Sequence, residues 1–526
     1  MPLLADPFAD RTVGRLLEFA TPATPWHRRL WQSGPLQLGA ELLELGASRG
    51  SAPAAKRDLQ ADLIASLAGD PGLGAHAKAI RSALPKDARD LTVGSHAWHG
   101  LAAALEASGP GYLTRWAAAL AAGQRPSAEF AARRLAAHLL DIGWSSSHLH
   151  RWTTYRVRHR PTVVGLPDLL LEAQADLSMP LRGFEFCVPL SRSPALPRPT
   201  PAGWLTAKQT AAWRVAHVPT SRPLRQYGAV LLTVSAHDVY SAADFVRSRL
   251  ADLVTRFTVG GRRPLEFAAE MWVAGRPEPL PVAGSPRRVE VHAFERQDRL
   301  FDGELPPELA SALAMLASLD RGAAPAAVTG AWSAVESLLT GPSDGANSVA
   351  ANRLALVVAA SHLRAELTVL AWSHARSGSD PLAVDLSAAP SNAEKAKLAQ
   401  RAIAAGASLA APRDSDKWAQ ERLTPLLADP AQGVRALHAV LHRVFLRLYR
   451  QRNLIAHGAR VDAAGVQPTV RLAAPLVGAG IDRLVHVALN AGPAPLVLAA
   501  AAKARLEFLT PASAADAGGL VDLLEP

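Results

Sequence analysis

Arg450-Gln451-Arg452-Asn453-Leu454-Ile455-Ala456-His457-Gly458 brings basic, amide and imidazole side chains together at a tight spacing. Upstream of it, from Gln432, the residues Leu437, Val440, Leu441, Val444, Phe445, Leu448 and Ile455 recur at intervals of three and four. That period predicts a helix over 432–457 that lays one apolar stripe on a core. Arg443, Arg447 and Arg450 fall off the stripe and are expected to face water or a partner. Gly458 directly follows His457, where a left-handed cap would end the helix. Arg452, Asn453 and His457 then occupy the last turn or so.

These residue types suit one kind of chemistry. Phosphodiester cleavage in RNA needs a proton removed from the 2′-hydroxyl and another delivered to the leaving oxygen, and imidazole titrates in the range to do either. It also needs fixed positive charge on the phosphoryl oxygens, for which the guanidinium fork is matched. An amide beside the arginine orients it or contacts phosphate. The scheme needs no metal and no cofactor, and only RNA carries the 2′-hydroxyl that serves as internal nucleophile.

The spacing Arg452-Asn453-x-x-x-His457 resembles the R-x4–6-H motif of the HEPN superfamily. The wider run from Leu448 through Tyr449 and Arg450 to Gly458 is similar to the Apea-like branch of that superfamily. Ala331-Trp332-Ser333-Ala334-Val335-Glu336-Ser337-Leu338-Leu339 looks like an early helix of the same branch, with its glutamate in an aromatic and leucine-rich setting. The resemblance extends over about Glu304 to Leu509. It implies a helical bundle, a homodimer that brings two motifs together, and metal-independent endoribonuclease activity in a toxin or anti-phage role. It assigns Arg452, Asn453 and His457 to catalysis, with Glu336, Arg450 and Tyr449 in support. RNA is the implied partner, and neither an antitoxin nor a trigger is named by the motifs. Glu336 is placed to pair with Arg353, to reach Arg452, or to lie on a solvated helix face. The competing reading of His457 is a solvated helix end favoured by the helix dipole.

A control for chance lies in the same chain. Arg133-Arg134-Leu135-Ala136-Ala137-His138 has the same R-x4-H spacing, but arginine follows the first arginine and no glycine follows the histidine. It reads as an ordinary amphipathic helix.

Composition sets the wider bounds. A chain of 526 residues exceeds one core, so two or three domains are expected. With 49% hydrophobic and 19% charged residues it is globular rather than disordered. A formal charge of +10 and a pI near 10.1 suit a polyanion partner, although an arginine- and alanine-rich composition supplies part of that excess. One cysteine, Cys187, excludes an internal disulfide framework and multi-cysteine zinc sites, and it reads as a buried thiol in a strand. The opening Met1 to Asp6 lacks the basic and apolar regions of a signal peptide, and no apolar run is expected to reach membrane-span length. A cytoplasmic protein with no membrane partner is the expectation.

The fold is expected to be mainly α with a smaller α+β part. Residues 1–165 read as helical, with segments such as Leu38–Leu45, Tyr112–Ala121 and Ala128–Leu140. Trp26, Trp31, Trp98, Trp116, Trp144 and Trp152 serve there as core or interface anchors. His148-x-His150 beside Asp141 hints at metal ligands but reads better as a surface loop at a helix end. From about Val163 the pattern changes, and residues 166–300 predict a small α+β domain. Its expected elements are strands at Phe184–Val188, Tyr227–Val234, Ala268–Val273 and Arg288–Phe294, a Pro-rich linker over Pro189–Pro201, and a serine-capped helix over Ser241–Val254. Asp238 reads as a capping carboxylate, and Gly260-Gly261-Arg262-Arg263 after a strand-like Phe257-Thr258-Val259 lacks phosphate-loop spacing. Residues 301–526 predict the HEPN-like bundle, including helices at Ser348–His374, Ser391–Ala405, Ile481–Leu489 and Leu496–Leu509. Ser391-x-x-Glu394 fits a capping box, and the Gly341–Ser348 loop either borders a site or is a plain turn. His438 and His442 have the spacing of zinc ligands on one helix, yet without a third ligand they read as core-edge or RNA-facing histidines.

Overall fold

The computed structural model describes residue 4 and residues 6–48, 53–159, 165–193, 201–218, 225–261, 263–301, 304–346, 348–458, 460–510 and 517–524. Most of the Pro-rich linker, the change of pattern at Val163, Arg262, Asn347 and most of the first five positions lie outside the described residues. Within them the chain forms twenty-two α-helices and one five-stranded antiparallel sheet, a mainly α protein with a small α+β part.

Local sequence explains where many helices start. Proline stands in the first turn of the helices Pro7–Ala20, Pro35–Ala47, Pro307–Arg321 and Pro495–Glu507, where its missing N–H costs nothing. Ser95, Ser127 and Ser145 each accept a backbone N–H of the following first turn through their side chains. Ser391 does so for Glu394, but the Glu394 carboxylate pairs with Lys397 at 3.1 Å.

One continuous apolar core joins the N-terminal helices to the C-terminal ones. Leu42, Leu59, Trp116 and Leu135 from the first 165 residues share it with Trp332, Leu363, Phe445 and Leu476. Its centre is the long helix Val349–Ser377, which packs on the helices Pro430–Gly458, Asn392–Ala404 and Pro495–Glu507. Against expectation, this helix and Val466–Leu489 are long and apolar enough to cross a membrane by length and composition. Inside the protein 72% and 67% of their most apolar stretches are buried. The predicted helix Ile481–Leu489 in fact begins at Val466. Gly480 is needed inside it: a Cβ there would lie 2.3 Å from Leu354.

The sheet is built from β1 (Arg182–Pro189), β2 (Trp204–Leu205), β3 (Ala229–Ala236), β4 (Glu270–Val273) and β5 (Leu280–Pro281), in the order β2-β3-β1-β4-β5. In the β1–β3 register Phe186 faces Leu232 and Cys187 faces Leu231. Alternation sends Phe186, Val188, Met271 and Val273 to a core with Val246 and Leu250 of the helix Val239–Val259, while Cys187 and Trp272 meet Trp213 on the other face. That helix starts three residues earlier than a Ser241 cap predicts. Asp238 caps it, accepting from Tyr240 N and Ser241 N at 2.8 Å each, and Phe257–Val259 belong to its end rather than to a strand. The expected strand over Arg288–Phe294 is absent. Val289 N donates to Asp320 Oδ1 at 3.3 Å and Ala293 N to Asp482 Oδ1 at 2.7 Å, so bundle carboxylates occupy backbone donors that a ladder would use.

Candidate functional site

The helix Pro430–Gly458 carries the motif, and its stripe is buried as the period predicts, with Leu441, Phe445 and Leu448 fully enclosed. Where it meets the helix Ala324–Leu339, the Tyr449 and Trp332 rings lie 4.8 Å apart at 47°. Glu336 follows Trp332 by one helical turn and Arg452 follows Tyr449 by three positions, so each pair shares a face. The aromatic contact therefore brings the charged pair together: Arg452 Nη2 donates to Glu336 Oε2 at 3.3 Å. Arg452 Nη1 donates to Asn453 Oδ1 at 3.0 Å, which holds the guanidinium between a carboxylate and an amide. The pair is half-buried, with Arg452 23% and Glu336 20% exposed. Arg353, the other partner expected for Glu336, bonds Asp344 and the Leu339 carbonyl, which ties the turn at Gly341–Asp344.

His457 stands exposed in the last turn. Gly458 ends the helix without entering the left-handed region, so the expected cap is not formed. Five positions along a continuous helix place His457 roughly 140° around the axis and about 7.5 Å along it from Arg452. The helix alone does not aim both side chains in one direction.

Arg450 is not in this group. It and Arg447 turn inward rather than to water, and their side chains are 4% exposed. Arg447 Nε donates to Glu41 Oε2 at 3.0 Å, while Arg450 Nη2 reaches Asp62 Oδ2 at 3.5 Å. Burial pushes the Arg450 guanidinium below its ordinary range, against the pull of Asp62. Arg443, by contrast, is half exposed.

The remaining motifs resolve into structure. His438 and His442 stack with ring centroids 5.9 Å apart, His438 Nε2 lies 3.0 Å from Asn352 Oδ1, and burial lowers both pKa values. Asp141 is taken by Arg471 and the Gly34 N–H, and His148 packs edge-on against Trp144. Asp238 also accepts from Ser145 N and Oγ, a fully occupied carboxylate. Burial pushes the Cys187 thiol up to about 12. In the chance motif Arg133 pairs with Glu129 at 2.6 Å and His138 is buried against Tyr112. Among the described residues no group of three or more histidine, cysteine or acidic side chains is arranged to hold a metal.

One feature was not legible at all. A cleft of about 1310 Å³ is lined by nine arginine and lysine side chains against three carboxylates. They come from segments scattered between positions 28 and 483, and only Arg28-Arg29 are adjacent, so no local run signals it. Comparison with family models, with curated proteins and with solved structures finds no match for this chain.

Proposed function

We propose that the chain is a HEPN-type, metal-independent endoribonuclease acting as a homodimer, in a toxin or anti-phage role. The observation that supports this most is the Glu336–Arg452–Asn453 arrangement, half-open to solvent beside an exposed His457. In the reaction the 2′-oxygen attacks phosphorus and gives its proton to a base. The 5′-oxygen leaves and takes a proton from an acid, so the products are a 2′,3′-cyclic phosphate and a 5′-hydroxyl. Arg452 neutralises the charge that grows on the phosphoryl oxygens, and Glu336 and Asn453 keep its guanidinium in place. His457 supplies the proton transfer. One imidazole serves one end of the transfer, and a second copy supplies the other. Pairing of two motifs also answers the angular offset, because His457 of one copy then completes the site around Arg452 of the other.

The test is cleavage of RNA by the purified protein and by Arg452→Ala and His457→Ala, with and without EDTA. Metal-independent cleavage that ends in cyclic phosphate and is lost in both variants is expected. Cleavage abolished by EDTA, or retained in His457→Ala, overturns the mechanism.

A second reading, a non-catalytic module for nucleic-acid or nucleotide binding and dimerisation, draws on the fact that Arg452 is already satisfied by Glu336 and Asn453. RNA binding without turnover, unchanged in His457→Ala, would select it.

A further inference from the structure

The cleft lies where the 22–29 segment, the 288–297 segment, the second half of Val349–Ser377, the 387–395 turn, the 412–416 segment, the helix Val466–Leu489 and the 521–524 segment meet. Several of its cations are not neutralised. Among the described residues Arg29, Arg376 and Arg413 have no carboxylate at ion-pairing distance. Arg29 donates to the Thr24 carbonyl at 2.8 Å and the Pro22 carbonyl at 2.5 Å, and Arg376 and Arg413 are exposed. Trp372, 39% exposed, organises two of the charges: Lys395 Nζ lies 4.7 Å from its ring centroid and the Arg376 guanidinium 5.5 Å. Its indole N–H donates to Asn392 Oδ1 at 2.9 Å, which fixes the ring. Lys395 is 5% exposed and its ammonium bonds backbone carbonyls, so this positive charge is buried without a counter-ion at bonding distance. His27, also on the wall, is 5% exposed, and its Nε2 lies 3.7 Å from Glu366 Oε2. Burying a positive charge without a counter-ion is costly, and an anion in the cleft would join Lys395 to the cations at its mouth.

We propose that this cleft binds a small polyphosphorylated ligand of nucleotide size, its phosphates held by Arg29, Arg376 and Arg413 with Lys395 behind them. Guanidinium groups take phosphate oxygens two at a time, which gives such a site its strength and geometry. Walls contributed by seven separate segments favour a compact ligand over a continuous strand. The site is independent of the nuclease reading, and its failure leaves that reading untouched.

Isothermal titration of the full chain with ATP, with inorganic tripolyphosphate and with single-stranded RNA tests it. Arg376→Glu and Arg413→Glu are both surface changes, and Lys78→Glu is a charge control outside the cleft. Saturable binding of ATP and of tripolyphosphate is expected, with at least about a tenfold rise in Kd in each cleft variant and less than about twofold in the control. Tighter binding of ATP than of tripolyphosphate would further assign a base contact. The proposal is overturned if neither ATP nor tripolyphosphate saturates, if Lys78→Glu weakens binding as much as the cleft variants, or if only single-stranded RNA binds.

Discussion

Arg447 of the motif helix and Glu41 of the N-terminal region form a buried ion pair across 406 positions of sequence, with side chains 4% and 1% exposed. Glu41 Oε1 also accepts from Gln37 Nε2 at 2.9 Å, and Arg447 bonds Ser33 Oγ, so neither charge is left bare. Removing one member strands the other in the core. Glu41→Ala is therefore expected to destabilise the protein by about 3–5 kcal/mol in urea unfolding. Replacing both with apolar residues, Glu41→Leu with Arg447→Met, should cost much less. A double variant as unstable as Glu41→Ala would show that the pair itself, rather than its stranded charge, carries the stability.

The same pair makes the two halves of the chain interdependent. Without residues 1–300 the bundle would expose Arg447, Arg450 and the surfaces of the helices Asp414–Ala428 and Val466–Leu489 that now meet N-terminal segments. A fragment of residues 301–526 is expected to lack a cooperative thermal transition and to bind a hydrophobic dye. A sharp transition in that fragment would show that its own core suffices.

These long-range ties mark the boundary of what was legible. Helices with a clear period and an identifiable cap or initial proline were readable, as were the strands around Phe186 and Val230, because their signals are local. The contact between Glu336 and Arg452 was readable only as one of three options, since the sequence places both charges on helices but not the helices on each other. Arg447 and Arg450 were misplaced because a charged residue off an apolar stripe is ordinarily solvated, and their carboxylates lie hundreds of residues away. The 288–294 segment has strand-like residues, yet Asp320 and Asp482 satisfy its backbone from outside any sheet.

Acid should weaken the fold through its buried histidines. Burial pushes His138 down to about 3, with Arg115 adding to the effect, and His27 and His362 to about 3 and about 4. A folded pKa below the ordinary 6.5 means the unfolded chain takes up the proton first, so the contribution is intact above about pH 6.5 and lost as pH falls toward the folded value. Glu366, held near 2, adds to the loss only below the usual carboxylate range, while Asp70 and Asp141, raised by burial, work in the opposite direction. Comparing His138→Phe with wild type isolates one group. The ring packing on Tyr112 is kept, and the variant should lose less stability between pH 6.5 and 5 by about 2 kcal/mol. Parallel stability curves for the two proteins would contradict a neutral buried His138.

The Glu336–Arg452 pair separates a positioning role from a structural one. Both side chains are partly open to solvent, so their pairing contributes at most about 1 kcal/mol to stability, and Glu336→Gln should melt close to wild type. If the chain cleaves RNA as proposed, Arg452→Ala should lower kcat by about 10²–10³-fold and His457→Ala by about 10²–10⁴-fold. Glu336→Gln should lower kcat by a smaller factor with KM little changed, because the guanidinium remains but is no longer held. The double variant Glu336→Gln with Arg452→Ala should be no slower than Arg452→Ala alone, since a group that acts through the arginine has nothing left to orient. Additive losses would give Glu336 a direct part in the reaction, and a wild-type rate for Glu336→Gln would reduce the pair to a helix–helix contact.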